Sequence, residues 1–422
     1  MSTAFQATLD YAKQLDKEDK INHLRHEFHI PKDKNGKEWI YMCGNSLGLQ
    51  PKSTKDYINQ ELTDWANFGV EGHFEAKNPW MPYHEFLTDS MAKIVGAKPI
   101  EVVIMNTLTT NLHLLMVSFY QPTDKKYKIV IESDAFPSDR YAVESQLDFH
   151  GFPPKEGLIE WKPREGEELL RMEDLETILD EQGDEIALLL IGGVNYYTGQ
   201  YLDIKRIAEL GHAKDCMVGI DLAHGAGNIS PNLHESGVDF AAWCTYKYLN
   251  SGPGSLAGLF IHEKHAYNND LKKFSGWWSH NKSTRFNMRQ DLDIIPGAEG
   301  YQLSNPPILS MAAIRASLDM FNTIGMDALR QKSEKLTGYF EFLINQIDTD
   351  RIKVITPTNP KERGCQLSVQ VKNADKSLHK ALTDHHIITD WREPDVIRCA
   401  PVPMYNSFED VFRMAEKLKS LL

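Results

Sequence analysis

Two short apolar runs, each closed by charged chemistry, decide the architecture. Met217 to Ile220 runs into Asp221, and Phe240 to Thr245 runs into Tyr246 and Lys247. Runs of this length, bounded by turn residues, read as buried strands of a parallel sheet. Val102 to Met105, Lys128 to Glu132 and Ile186 to Gly193 are further apolar runs, and helical patterns such as Ile204 to His212 fall between such runs. The alternation from 100 to 260 predicts an α/β fold with a mostly parallel sheet. Ligands of such sheets bind at the carboxyl ends of the strands. Asp221 and Lys247 then share one rim, an acid and an amine facing the same ligand.

The pair admits two readings. One is structural: a buried ion pair, or a solvated lysine on a turn. The other is chemical: pyridoxal phosphate joins a lysine amine through its aldehyde, and an acid keeps its ring nitrogen protonated so that the ring serves as an electron sink. His224 three residues after Asp221, and the glycines of LAHGAGN and NSGPG, favour the second reading. Glycine lets backbone approach a ligand closely.

The segments IDLAHGAGN, WCTYKYLNSGPG, GNSLGLQP (44–51) and APVPMYNSF (400–408) resemble those of the kynureninase family of fold-type-I pyridoxal phosphate enzymes, and the resemblance covers nearly the whole chain. It implies a large cofactor domain at 65–312, with a mostly parallel sheet flanked by helices. It also implies a small α+β domain built from 1–64 and 313–422, and a homodimer with shared active sites. Short strands near VITP, CQLSVQV, IITDW and VIRCAPV, a helix at Lys376 to His385 and a final helix capped by Ser407 fit the small domain.

The resemblance also implies roles. Lys247 carries the Schiff base and later moves the Cα proton, a task that burial of its amine assists. Asp221 partners the ring nitrogen, and His224 packs near it. Phe136 stacks on the ring, with Pro137, Ser138 and Asp139 lining the same pocket. Asn106, Thr107, Thr109 and Thr110 precede the helical pattern Leu112, Leu115, Met116, Phe119. A helix start of that kind suits a phosphate, and the family places the backbone of Leu108 and Thr109 there. Tyr246 matches a tyrosine at the phosphate and is the candidate proton donor to the alanyl fragment. Gly192 stands where relatives often carry a small hydroxyl residue, so that contact is expected to be backbone-only or lost. Trp277 and Asn305 are expected at the cofactor from near a subunit interface. Asn45 and Ser46 lie in a tight loop near the substrate. Arg398 grips the substrate carboxylate, as a guanidinium fork does best. His73, Trp277 and Asn305 are candidates for the aryl pocket, and the polarity of His73 and Asn305 leans the expectation toward 3-hydroxykynurenine.

The implied reaction is hydrolysis of L-kynurenine or 3-hydroxy-L-kynurenine to an anthranilate and L-alanine. Another reaction on the same fold, transamination or cysteine desulfuration, stays open. A nicotinamide oxidoreductase would want a GxGxxG turn after an early strand, which the sequence lacks. A non-catalytic relative is the third alternative. The formal charge of −13 argues against a nucleic-acid partner. No apolar run reaches membrane-spanning length. The five cysteines show no CxxC spacing and point neither to disulfides nor to a metal site. The cytoplasm is the expected location.

Overall fold

Seven strands make the central sheet of the computed structural model, which describes residues 5–268 and 270–422. They are β1 (Val102–Met105), β2 (Lys128–Glu132), β3 (Leu158–Trp161), β4 (Ile186–Gly192), β5 (Met217–Asp221), β6 (Phe240–Cys244) and β7 (Ala257–Ile261). Their spatial order is β1-β7-β6-β5-β4-β2-β3. β7 runs antiparallel to β1 and β6, and the pairs from β6 to β3 are parallel. The expected mostly parallel sheet is present, with one reversed strand that the glycine-rich sequence after Lys247 did not announce. At Gly258 in β7 a Cβ would lie 2.1 Å from the Trp243 ring, so glycine there makes room for an indole.

Helices cover both faces, as a parallel sheet requires. Val102, Ile104, Val130, Ile191, Val218 and Ile220 face one apolar core with Leu87 and Met91 of the helix Glu85–Val95 and residues of Ile308–Ile324. Val103, Ile129, Leu188, Leu190 and Ala242 face the other, against the helices Leu108–Phe119 and Pro137–Phe149. The alternation of neighbouring residues between two cores is the period-2 geometry of a strand covered on both sides.

A second sheet holds β8 (Ile352–Val354), β9 (Leu367–Val371), β10 (Asp390–Arg392) and β11 (Val396–Cys399) in the order β8-β9-β11-β10, antiparallel throughout. Its core gathers Leu367, Val369 and Ile397 with Phe340, Val411 and Met414, and with Ala12 and Leu15 of the N-terminal helix Leu9–Glu18. Ser407 caps the last helix as expected: its hydroxyl accepts from the Asp410 amide at 3.0 Å, and the Asp410 carboxylate accepts from the Ser407 amide at 3.2 Å. The chain start is tied to its end. The amide of Ala400 donates to Met42 O at 2.9 Å, and Ile387–Ile388 pairs with Ile40–Tyr41.

Candidate active site

Parallel register puts the ends of four strands side by side. Gly192 pairs with Asp221 across β4 and β5, and Asp221 with Ala242 across β5 and β6. Glu132 ends β2, and Lys247 follows β6 in a turn where the Asn250 amide donates to Lys247 O at 3.0 Å. Chain order reverses between β2 and β4, which leaves a crevice at their carboxyl ends. A cavity of about 320 Å³ opens there.

Twelve of the residues singled out in the sequence line it: Asn45, Ser46, Leu108, Thr109, Phe136, Ser138, Asp139, Asp221, His224, Tyr246, Lys247 and Arg398. The GNSLGLQP loop reaches it because the Gly48 amide donates to Tyr246 O at 2.8 Å, and a Cβ at Gly48 would meet Lys247 O at 2.3 Å.

Lys247 Nζ lies 3.2 Å from His224 Nε2 and 5.9 Å from the Phe136 ring centre. Burial, then the charges of Lys247, Arg398 and Arg392, push His224 well below its ordinary pKa, so the imidazole is neutral and its Nε2 accepts from the lysine. Its Nδ1 is buried without a partner. Asp221 is 7 % exposed, and its Oδ1 accepts from the Ala223 amide at 2.6 Å. Burial raises both Asp221 and Asp139, and Asp139 more because Asp221 and Glu132 face it. Two neighbouring buried carboxyls do not both ionise, and the more strongly raised Asp139 holds the proton while Asp221 holds the charge. Burial, with Cys244 adding to it, pushes the Tyr246 phenol up and keeps it protonated.

Two helix starts meet at the opposite wall. The Thr109 hydroxyl lies 2.7 Å from the Ser138 hydroxyl, which joins the N-termini of Leu108–Phe119 and Pro137–Phe149. Pro137 does not line the cavity itself but opens the second helix, where its missing N–H costs nothing. Together these ends offer unpaired N–H groups and partial positive charge.

Arg398 is 1 % exposed. One Nη donates to Tyr196 O at 2.6 Å, the other bonds Asp390, and Nε is buried without a partner. Asp390 also accepts from Ser46 Oγ at 2.7 Å and from Arg392 at 3.1 Å. Both guanidinium groups lie over the Tyr196 ring, 5.7 Å and 5.8 Å from its centre. Glu132, Gly192, Tyr196 and Arg392 line the cavity too, and sequence reasoning gave none of them a role in it except Gly192. The Gly192 amide is occupied: it donates to the Glu132 carboxyl at 2.9 and 3.1 Å.

His73, Trp277 and Asn305 do not reach this cavity. His73 Nδ1 bonds Val70 O at 2.9 Å, and its ring meets Trp80 edge-on. Trp277 lines a separate cleft with His280, Arg285 and Met288, and Asn305 is exposed. The donor set that does converge fits a phosphorylated pyridine aldehyde: an amine, an aromatic face, a buried carboxylate and two helix N-termini within one cavity.

Residues 329–418 match the family described as the kynureninase C-terminal domain. The chain is 53% identical over 415 residues to the kynureninase of Myxococcus xanthus, covering 98% of this chain and 97% of that one. It is 47% identical over 430 residues to that of Mus musculus, covering 97% and 92%. Among solved structures, a cysteine desulfurase from Thermococcus onnurineus NA1 superposes with a TM-score of 0.75 at 18% identity, covering 91% of this chain and 94% of that one. A cysteine desulfurase from Escherichia coli gives 0.75 at 14% identity, covering 99% of each. At such identities the likeness concerns the fold.

Proposed function

The chain belongs to the kynureninase family, and on that premise we propose how its residues divide the work. The enzyme is a pyridoxal-phosphate-dependent hydrolase. It cleaves the side chain of L-kynurenine, or of its 3-hydroxy form, to an anthranilate and L-alanine. Pyridoxal phosphate, when bound, supplies an aldehyde carbon for an amine and a ring that takes up electron density.

Lys247 would hold the cofactor through Nζ, Asp221 would face the ring nitrogen, and Phe136 would cover one ring face. The amides of Leu108 and Thr109, with Ser138, would take the phosphate at the paired helix ends. Asp139 keeps its proton and so leaves Asp221 as the anion. Once a substrate amine has displaced it, Lys247 Nζ takes the Cα proton, with the neutral His224 Nε2 at 3.2 Å to hold its orientation. Tyr246, kept protonated by burial, delivers a proton to the alanyl carbon. The free Nε–H edge of Arg398 grips the carboxylate, with Asn45 and Ser46 beside it.

We assign His73, Trp277 and Asn305 to the cavity of a second copy in a homodimer. Exposed Phe68, Val70 and Phe74 flank His73, and exposed Phe286, Met288 and Leu292 follow Trp277, an apolar surface of the kind that packs against a partner. His73 and Asn305 would accept a ring hydroxyl, which favours the 3-hydroxy substrate. The division into 65–312 and 1–64 with 313–422 is the domain reading we adopt. Both cuts fall within helices, Thr54–Phe68 and Ile308–Ile324, that pack on one another. We place the enzyme in the cytoplasm: its five cysteines are free, as in a reducing compartment. Among the described residues, no helix is long and apolar enough to cross a membrane.

A desulfurase reading fails on its nucleophile. None of the five cysteines lines the cavity, and burial pushes the Cys43 and Cys216 thiols up to about 11 and that of Cys365 up to about 12. The observation that carries our reading is the convergence of Asp221, Lys247 and Arg398 on one cavity. The test is the visible spectrum of the purified holoenzyme, followed by addition of kynurenine. The parent should show a lysine-dependent cofactor band and release anthranilate and alanine. Lys247→Ala should lose the band and the product together. A keto acid in place of alanine would overturn the reaction assigned here.

A further inference from the structure

Glu132 is a buried acid in the cavity that the roles above leave idle. It is 5 % exposed and makes no salt bridge among the described residues. Buried carboxylates usually meet a cation. Glu132 instead receives the Gly192 amide on both oxygens, at 2.9 and 3.1 Å. The seat is built for it. A Cβ at Gly192 would lie 2.4 Å from Glu132 Oε1, while the backbone there has no left-handed φ. Glycine at 192 therefore serves space rather than backbone shape. Of the two expectations for 192, a backbone-only contact or none, the amide is engaged by a carboxyl from the neighbouring strand.

The groups around Glu132 are mostly acidic. Asp221 on β5 and Asp139 at the start of Pro137–Phe149 both face it, and Lys247 faces those two aspartates. Tyr196, from the loop after β4, lines the same cavity as Glu132 and has Arg392 and Arg398 over its ring. Three carboxyls this close do not all ionise. We propose that Glu132 is a positioning residue of the cofactor site. It holds a proton while Asp221 holds the charge, and on releasing that proton it places a second negative charge beside Asp221. Burial, with Asp221 adding to it, pushes Glu132 up to about 7, so the release falls near neutral pH. The inference rests on Asp221 as partner of the ring nitrogen. A second anion there strengthens the hold on a protonated ring.

Holoenzyme is titrated from pH 5.5 to 9.5 by visible absorbance, and the dissociation constant for pyridoxal phosphate is measured across the same range. The parent should show a spectral step near neutral pH that Glu132→Gln lacks. At pH 6 the two proteins should bind cofactor within about threefold. Above pH 8 the parent should bind about tenfold tighter, the scale of one added charge a few ångströms away in a partly screened interior. Infrared spectra of the apoprotein at pH 6 should show a protonated-carboxyl band that weakens in Glu132→Gln. Gly192→Ala, whose methyl pushes on the same carboxyl, should move the step. A step kept unchanged in both variants overturns the proposal. A parent that binds no pyridoxal phosphate would instead overturn the assignment of the site itself.

Discussion

Replacing Arg398 by lysine keeps the charge and removes the fork. In the structure the guanidinium already spends one Nη on Tyr196 O and the other on Asp390, which leaves the Nε edge free in a buried setting. A substrate carboxylate can take that edge side-on, with two parallel N–H donors. Lysine offers one point donor, and Asp390 competes for it. The variant therefore loses one charge-assisted hydrogen bond to the substrate, worth about 2–3 kcal/mol. That converts to a rise in KM of about 30- to 150-fold. Proton transfer at Cα uses other groups, so kcat should fall by less than about fivefold. The assay is anthranilate fluorescence under steady-state conditions, with thermal unfolding as a control for folding. L-Alanine, which keeps the carboxylate, should weaken as a product inhibitor in parallel with KM. An unchanged KM with a large loss of kcat would refute the carboxylate role.

Two further outcomes concern the scaffold. Gly258→Ala forces a methyl into the Trp243 indole between β6 and β7 and should destabilise the protein by about 2–3 kcal/mol, read as a lower denaturant midpoint at unchanged m; an unaltered midpoint would show that the strand pair yields. Asp239 binds His212 at 2.9 Å, His265 at 2.8 Å and Lys264 at 2.8 Å. Burial alone would raise it, but His212, His265 and Lys264 outweigh burial and hold it far below the usual carboxylate range. Its stabilisation is present above the unfolded carboxylate value and is lost as pH falls through the folded one. Asp239→Asn should therefore lose about 3 kcal/mol at pH 7, and the gap to the parent should begin to narrow below about pH 4 and go on narrowing toward the much lower folded value. A gap that stays constant from pH 7 to pH 3 would contradict this.

The strands ending at Asp221 and near Lys247 were legible because their apolar runs and turn residues agree, and local and tertiary demands coincide there. Thr109 and Ser138 were legible as helix-start residues. Glu132 was not, since a glutamate closing the run KIVIE reads as an ordinary strand end until the neighbouring strand shows whose amide it accepts. Arg392 was one charge among several in TDWREPD, and only pairing of β10 with β11 brings it beside Arg398. Tyr196 enters through its carbonyl as well as its ring, and a carbonyl carries no sequence signal. Trp277 and Asn305 are exposed and His73 is half-buried away from the cavity, so neither periodicity nor a single folded chain assigns them to a site.

The pairing of Ala400 with the segment near Met42 has a consequence during synthesis. Asn45 and Ser46 are made more than three hundred residues before Asp390 and Arg398, which complete the wall they share. A nascent chain halted before position 390 would carry Lys247 and the two helices that start at the cavity, but neither Asp390 nor Arg398, the proposed carboxylate anchor. Contacts spanning more than three hundred residues also close slowly. Capture of the vitamin can thus precede competence to recognise kynurenine, and a chain that stops before position 390 would be a coloured but idle polypeptide.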